Sequence, residues 1–217
     1  ELVYNHFPNL IRYVEEIGFE GPLVPIKDAE ILDPFKKEVS DKVVREFMSF
    51  FSGKIGITGS MLYSDKFNDM DFVSLNEDDY ETLVDLRKRE ITSPLTFYKE
   101  DEVEGLNKND FLSLKRNRFL EGIYKNIPYT FKIVKCEDFG VVLGKESFEG
   151  VVEIVRSEKP FSLPVKYYTD KGIYLTSFRV RYTELKEGTR IYVNGILLKR
   201  DKFLDLDLDI AKEVRVL

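Results

Sequence analysis

Apolar positions along the chain change their spacing twice, and these changes divide it into three parts: 1–53, 54–136 and 137–217. The first part reads as helical. Pro8 suits the first turn of a helix that carries Leu10, Ile11 and Val14 inward and stops at Gly18. A connection through Pro22, Pro25 and Pro34 follows. Ser40 then caps a second helix whose apolar face is Val43, Val44, Phe47, Met48 and Phe51, ending at Gly53.

The middle part mixes periods. A short apolar strand, Lys54 to Thr58, breaks at Gly59-Ser60, and a second strand covers Asp69 to Leu75. A helix from Asp78 to Arg89, capped by Asn76 or Asp78, carries Tyr80, Leu83, Val84 and Leu86. Asn109 or Asp110 starts another helix, Phe111 to Phe119. Gly122-Ile123-Tyr124 and Tyr129 to Lys135 then read as a hairpin turning at Asn126-Ile127-Pro128. The last part alternates as half-buried strands do, most clearly over Val151 to Val155, Val165 to Thr169, Ile173 to Arg181 and Arg190 to Leu198. Asp170-Lys171-Gly172 reads as a hairpin turn. The expected class is α+β: helices packed on a mixed sheet, followed by a small antiparallel OB-like barrel or barrel-like sheet.

Composition narrows the chemistry. The chain has 217 residues, 43% hydrophobic and 13% aromatic, enough to fill a core. No run reaches the roughly 18 apolar residues of a membrane span, and the first residues lack the pattern of a secretion signal, so a cytoplasmic protein without a membrane partner is expected. One cysteine, Cys136, excludes an internal disulfide framework. One histidine, His6, leaves carboxylates as the main metal ligands, which favours hard cations such as magnesium. The net charge of −6 argues against a surface coated in nucleic acid, but not against a local basic groove. Abundant lysine and glutamate with no glutamine resembles a thermophile's composition.

The segment from Gly59 to Asp71 carries the chemistry. A strand running into Gly59-Ser60 at a helix start leaves backbone N–H groups and a hydroxyl for a phosphate. Asp69 and Asp71, two apart on a strand, project from one face, while Met70 and Phe72 anchor the other face in the core. Convergent carboxylates opposite a phosphate cradle are what magnesium-dependent nucleotidyl transfer needs.

On these residues the chain resembles the DNA polymerase β-like nucleotidyltransferase superfamily, whose small members carry Gly-Ser, a spacer and Asp-apolar-Asp. It is similar in particular to archaeal predicted nucleotidyltransferases with a β-rich carboxy-terminal region. The likeness rests on His6-Phe7-Pro8, Ile57-Thr58-Gly59-Ser60-Met61-Leu62, Asn68-Asp69-Met70-Asp71, Lys115-Arg116-Asn117-Arg118-Phe119, Tyr129 to Lys135, and Ser177 to Tyr182. The resemblance implies transfer of a nucleoside monophosphate from a nucleoside triphosphate to an RNA, DNA or protein acceptor. Gly59 and Ser60 would then hold the triphosphate, Asp69 and Asp71 would hold magnesium in a two-metal arrangement, and Lys132 and Arg116 would steady phosphates.

The chain departs from the family on one strand. Active members place a third carboxylate on a later strand, here Tyr129 to Lys135, which contains no acid. Lys132 stands about where that carboxylate is expected, and Glu121 on the neighbouring strand is a candidate to substitute for it. A catalytically degenerate protein that binds nucleotide or nucleic acid is therefore the alternative.

The remaining candidates have bland readings beside functional ones. Lys115, Arg116 and Arg118 form either a solvated face or a phosphate contact. Arg179 and Arg181 share a strand face near Tyr167 or Tyr168, either as surface charge or as a basic groove with stacking aromatics. Asp205, Asp207 and Asp209 read as the solvated acidic face of an edge strand. His6 reads as a capping or surface residue and Cys136 as a buried thiol.

Overall fold

The computed structural model describes residues 2–97, 103 and 106–217. The class is α+β, with three sheets among the described residues. In chain order the elements begin with α1 (Leu2–His6), β1 (Ile11–Val14), β2 (Phe19–Pro22), α2 (Lys42–Met48), β3 (Gly56–Ile57), α3 (Ser60–Tyr63) and β4 (Met70–Ser74). They continue through α4 (Asp79–Lys88), α5 (Lys108–Asn117), β5 (Glu121–Tyr124) and β6 (Ile127–Val134). The strand-rich remainder holds β7 (Val142–Ser157), β8 (Ser162–Leu163), β9 (Val165–Thr169), β10 (Tyr174–Ser177), β11 (Arg190–Arg200), β12 (Leu204–Asp207) and β13 (Glu213–Val216).

The middle sheet runs β3-β4-β6-β5, with β8 added to the far half of β6. β4 and β6 are parallel, and Asp71 pairs with Thr130 and Phe72 with Phe131. β5 returns antiparallel on β6 through a two-residue turn at Lys125-Asn126, both at positive φ, so the turn falls one residue before the expected site. Phe47 of α2 stacks on Phe72 at 5.1 Å, and Phe51 on Phe131 at 4.7 Å, filling one face of this sheet with rings.

The last sheet runs β12-β10-β9-β7-β11-β13, and β12 also pairs with β11. The pairings therefore form a circuit, β7-β9-β10-β12-β11 and back to β7, in which only β10 and β12 are parallel. The 16-residue β7 spans the expected Val151 to Val155 strand. Its residues Val152 and Ile154 pack with Val165, Tyr167, Leu175, Ile191, Val193 and Leu206. The two cores exchange elements: Leu163 and Val180 pack with the middle sheet, whereas Leu106 and Phe111 pack with the last.

Several local expectations are corrected. Residues 11–22 form a hairpin, not a helix over Pro8 to Gly18. Gly18, at φ +73, sits in its turn, and Val142 donates its N–H to the Glu15 carbonyl while the Lys145 ammonium lies over Phe19. Contact with β7 overrides the local helical spacing. Asp41, not Ser40, caps α2 by accepting from Val43 and Val44, and Asn107 caps α5. The strand from Ile173 ends at Ser177, where the Asp209 carboxylate accepts from the Ser177 hydroxyl and the Phe178 N–H. Arg179 and Arg181 thus leave the sheet into a 3₁₀ turn at Val180–Tyr182. Tyr167 is fully buried and cannot stack a base, while Tyr168 packs against Tyr174.

The acidic stretch is not an edge. β12 lies between β10 and β11; Asp205 is fully buried, pairing with Arg200 at 2.6 Å and accepting from Thr176. Cys136 is exposed.

Two predictions test this packing. The Glu184 carboxylate accepts from the backbone N–H groups of Phe119 and Leu120 and from the Tyr80 hydroxyl, tying the two cores together. Glu184→Ala strands these donors and is expected to cost about 2–3 kcal/mol in denaturant unfolding, with Glu184→Gln costing less. Burial pushes the Asp207 carboxyl from 3.8 up to about 6. Its ionisation therefore opposes folding: the penalty is absent below about pH 4 and complete above about pH 6. Asp207→Asn is expected to raise stability at pH 7, with the gain vanishing in unfolding curves at pH 4.

Candidate active site

Strand alternation builds the site. On β4 the even positions Met70 and Phe72 are fully buried, so Asp71 turns to the other face. On β6, Tyr129, Phe131 and Ile133 are buried, so Thr130 and Lys132 share the face of Asp71. Register carries that row one strand further, because Thr130 pairs with both Asp71 and Glu121.

A cavity of about 570 Å³ lies over this face. Asp69, Asp71, Glu121, Thr130 and Lys132 line it from the sheet side. Lys115 and Arg118 reach it from the end of α5, and Arg179 and Arg181 from the 3₁₀ turn after β10. The Lys132 ammonium stands 3.8 Å from Asp71 Oδ1. Glu121 is held by an ion pair with the buried Arg118 guanidinium. Tyr129, also at the cavity, donates to the Phe119 carbonyl and accepts from Arg87; burial raises its pKa, so it stays a neutral phenol.

Gly59 has a strict geometric role. It sits at φ +62, ψ −150 before α3, and a Cβ there would overlap Asp71 Oδ2. The carboxylate therefore lies directly against the Gly59 backbone. Ser60 opens α3 and faces a neighbouring depression of about 510 Å³, with Asn68 lining both hollows. The Thr58 hydroxyl, just before Gly59, is buried with no hydrogen-bond partner among the described residues.

The structure thus brings Asp69, Asp71 and Lys132 to one cavity, with Gly59 against Asp71; Ser60 lies outside that lining, on the neighbouring depression. It does not bring in Arg116, which is exposed on α5 and outside the cavity lining. Its neighbours Lys115 and Arg118 are buried at 4% and 2% exposure, so they do not form a solvated face. Their helix spacing was visible in the sequence; the missing signal was which side of α5 the later strands cover. Arg179 and Arg181 were visible as basic residues, but their place in this cavity depends on the chain leaving the sheet after Ser177.

Among the described residues no group of three or more acidic, cysteine or histidine side chains is arranged to hold a metal ion. The chain matches no family model, no curated protein and no solved structure. No helix is long and apolar enough to cross a membrane among the described residues.

The contact at residue 59 yields a prediction. Gly59→Ala forces a strained φ and displaces the Asp71 carboxylate, at an expected cost of about 1–3 kcal/mol in thermal or denaturant unfolding. Relieving the overlap by Gly59→Ala with Asp71→Gly should recover part of that loss.

Proposed function

We propose that this chain is a nucleotidyltransferase-like protein that binds a nucleoside triphosphate with magnesium and transfers its nucleoside monophosphate to an acceptor in the cytoplasm. The observation that carries the reading is the convergence of Asp69, Asp71 and Lys132 on one cavity with Gly59 packed against Asp71. The cavity volume is within the range of small-molecule sites.

The donor set fits magnesium in a particular way. Magnesium is commonly held by one or two carboxylates, with substrate phosphates and water completing its shell. Asp69 and Asp71 supply the two carboxylates, and the acid-only oxygen donors suit a hard cation. When bound, the ion would polarise the phosphoryl oxygens and offset the charge of the triphosphate. Lys132 offers a cation to a phosphate oxygen and stands beside Asp71. Gly59 and Ser60 lie where the chain turns from β3 into α3, with backbone N–H groups at the turn. The strand circuit β7-β9-β10-β12-β11 supports reading 137–217 as a small OB-like barrel that presents the acceptor, whether RNA, DNA or protein.

A second reading has its own support. Glu121 is the acid in register with Asp71 and Thr130, yet Arg118 engages it, and Lys132 occupies the place beside Asp71. These pairings favour a protein that keeps the nucleotide cleft and has lost transfer chemistry.

The carboxylate assignment is tested by calorimetric titration of the four ribonucleoside triphosphates. Asp69→Asn with Asp71→Asn is expected to abolish magnesium-dependent binding while circular dichroism and melting stay close to the parent's. Undiminished binding in the double variant would sink the assignment. Lys132→Asp is expected to raise magnesium affinity, since it exchanges a repelling cation for a ligand.

A further inference from the structure

The cavity has a second chemistry besides the carboxylate pair. Five cationic side chains, Lys115, Arg118, Lys132, Arg179 and Arg181, line it against three carboxylates among the described residues. That balance is the reverse of the chain as a whole, whose net charge is −6. Cationic side chains converging on one hollow favour an anionic ligand there.

Four of the five cations come from one wall. Lys115 and Arg118 lie at the end of α5, three residues apart and therefore on one side of it. The Lys115 ammonium and the Arg181 guanidinium both approach the Phe111 ring, at 5.2 and 5.8 Å from its centroid. The fourth, Arg179, precedes Arg181 by two residues in the same turn.

Arg118 is the most deeply buried cation of this wall. It is 2% exposed, and among the described residues it pairs with Glu121 through Nη1. Its Nε and Nη2 atoms are buried with no hydrogen-bond partner among the described residues. A buried guanidinium with two unused donor atoms is costly unless an acceptor reaches them. Guanidinium donors in a planar fork match an oxyanion.

We infer that this wall is an oxyanion subsite, separate from the Asp69/Asp71 pair, that seats the acid group of the acceptor. The inference rests on the proposed transferase reading for the word acceptor, and it narrows that acceptor to one bearing a phosphate or carboxylate beside its nucleophile. The oxyanion gives Arg118 the hydrogen-bond acceptors it lacks, with Lys115 and Arg181 on the same wall and Arg179, which pairs with Asp209 at 3.8 Å, beside them.

The test is calorimetric titration of the full chain with inorganic phosphate, and separately with acetate, in chelator. Saturable binding of either probe is expected, phosphate binding pointing to a phosphorylated acceptor and acetate binding to a carboxylate. Arg118→Lys is expected to weaken it about tenfold or more, the loss of a charge-assisted hydrogen bond. Arg181→Ala is expected to weaken it similarly and guards against misfolding of the buried Arg118 variant. Binding should persist in Asp69→Asn with Asp71→Asn, and with magnesium and nucleotide already bound. If nucleotide fails to bind but phosphate does, the transferase reading falls and the subsite stands. The subsite is overturned if the parent chain binds neither probe, if both arginine variants bind as the parent does, or if saturating magnesium-nucleotide expels the probe, since the wall then belongs to the triphosphate.

Discussion

The parallel pairing of β4 with β6 is the constraint on which the rest depends. It sets Phe72 beside Phe131 and Asp71 beside Thr130 in successive rows, so one decision about register fills a core and builds a site. Because side chains alternate, slipping either strand by one residue would drive Asp71 or Lys132 into the rings of Phe47 and Phe51. Losing a buried aromatic ring costs about 3–5 kcal/mol, which is far more than the weak attraction of a half-exposed ion pair such as Lys132 with Asp71. The aromatic face therefore dictates the register, and the charged face inherits its geometry.

The second core completes what the sheet begins. The middle sheet and α5 supply part of the cavity's lining; the turn carrying Arg179 and Arg181 arrives from the strand-rich region. Glu184, two residues past that turn, fixes its approach by accepting from the backbone where α5 runs into β5. A carboxylate satisfied by three donors can hold two layers together despite burial that raises its pKa. The hollow thus joins an acidic floor to a basic wall, an arrangement suited to a metal-carried polyanion and an acidic partner group.

Much of the middle region was legible from the sequence because its signals are local. Met70-Asp71-Phe72 alternates with period two, and Gly59 marks a turn whose positive φ only glycine adopts without strain. The hairpin after Gly122 was legible for the same reason, although the turn sits on Lys125-Asn126. What could not be read depends on distant chain. The hairpin at residues 11–22 looks helical until β7 is beside it. Asp205 looks like a surface residue until Arg200 and Thr176 enclose it. Arg116 and Arg118 are equivalent in sequence, and only the cover provided by the second core makes one solvent-exposed and the other the buried centre of the wall.

The central proposal is that Asp69, Asp71 and the Gly59-Ser60 turn serve one magnesium-nucleotide site. A crystal structure of the chain with magnesium and a non-hydrolysable nucleoside triphosphate tests it most directly. The predicted result is nucleotide and magnesium in this cavity, with Asp69 and Asp71 as the residues that would hold the ion and Gly59 and Ser60 beside the phosphates. Nucleotide bound elsewhere, or a cavity free of nucleotide and metal at saturating ligand, would contradict it.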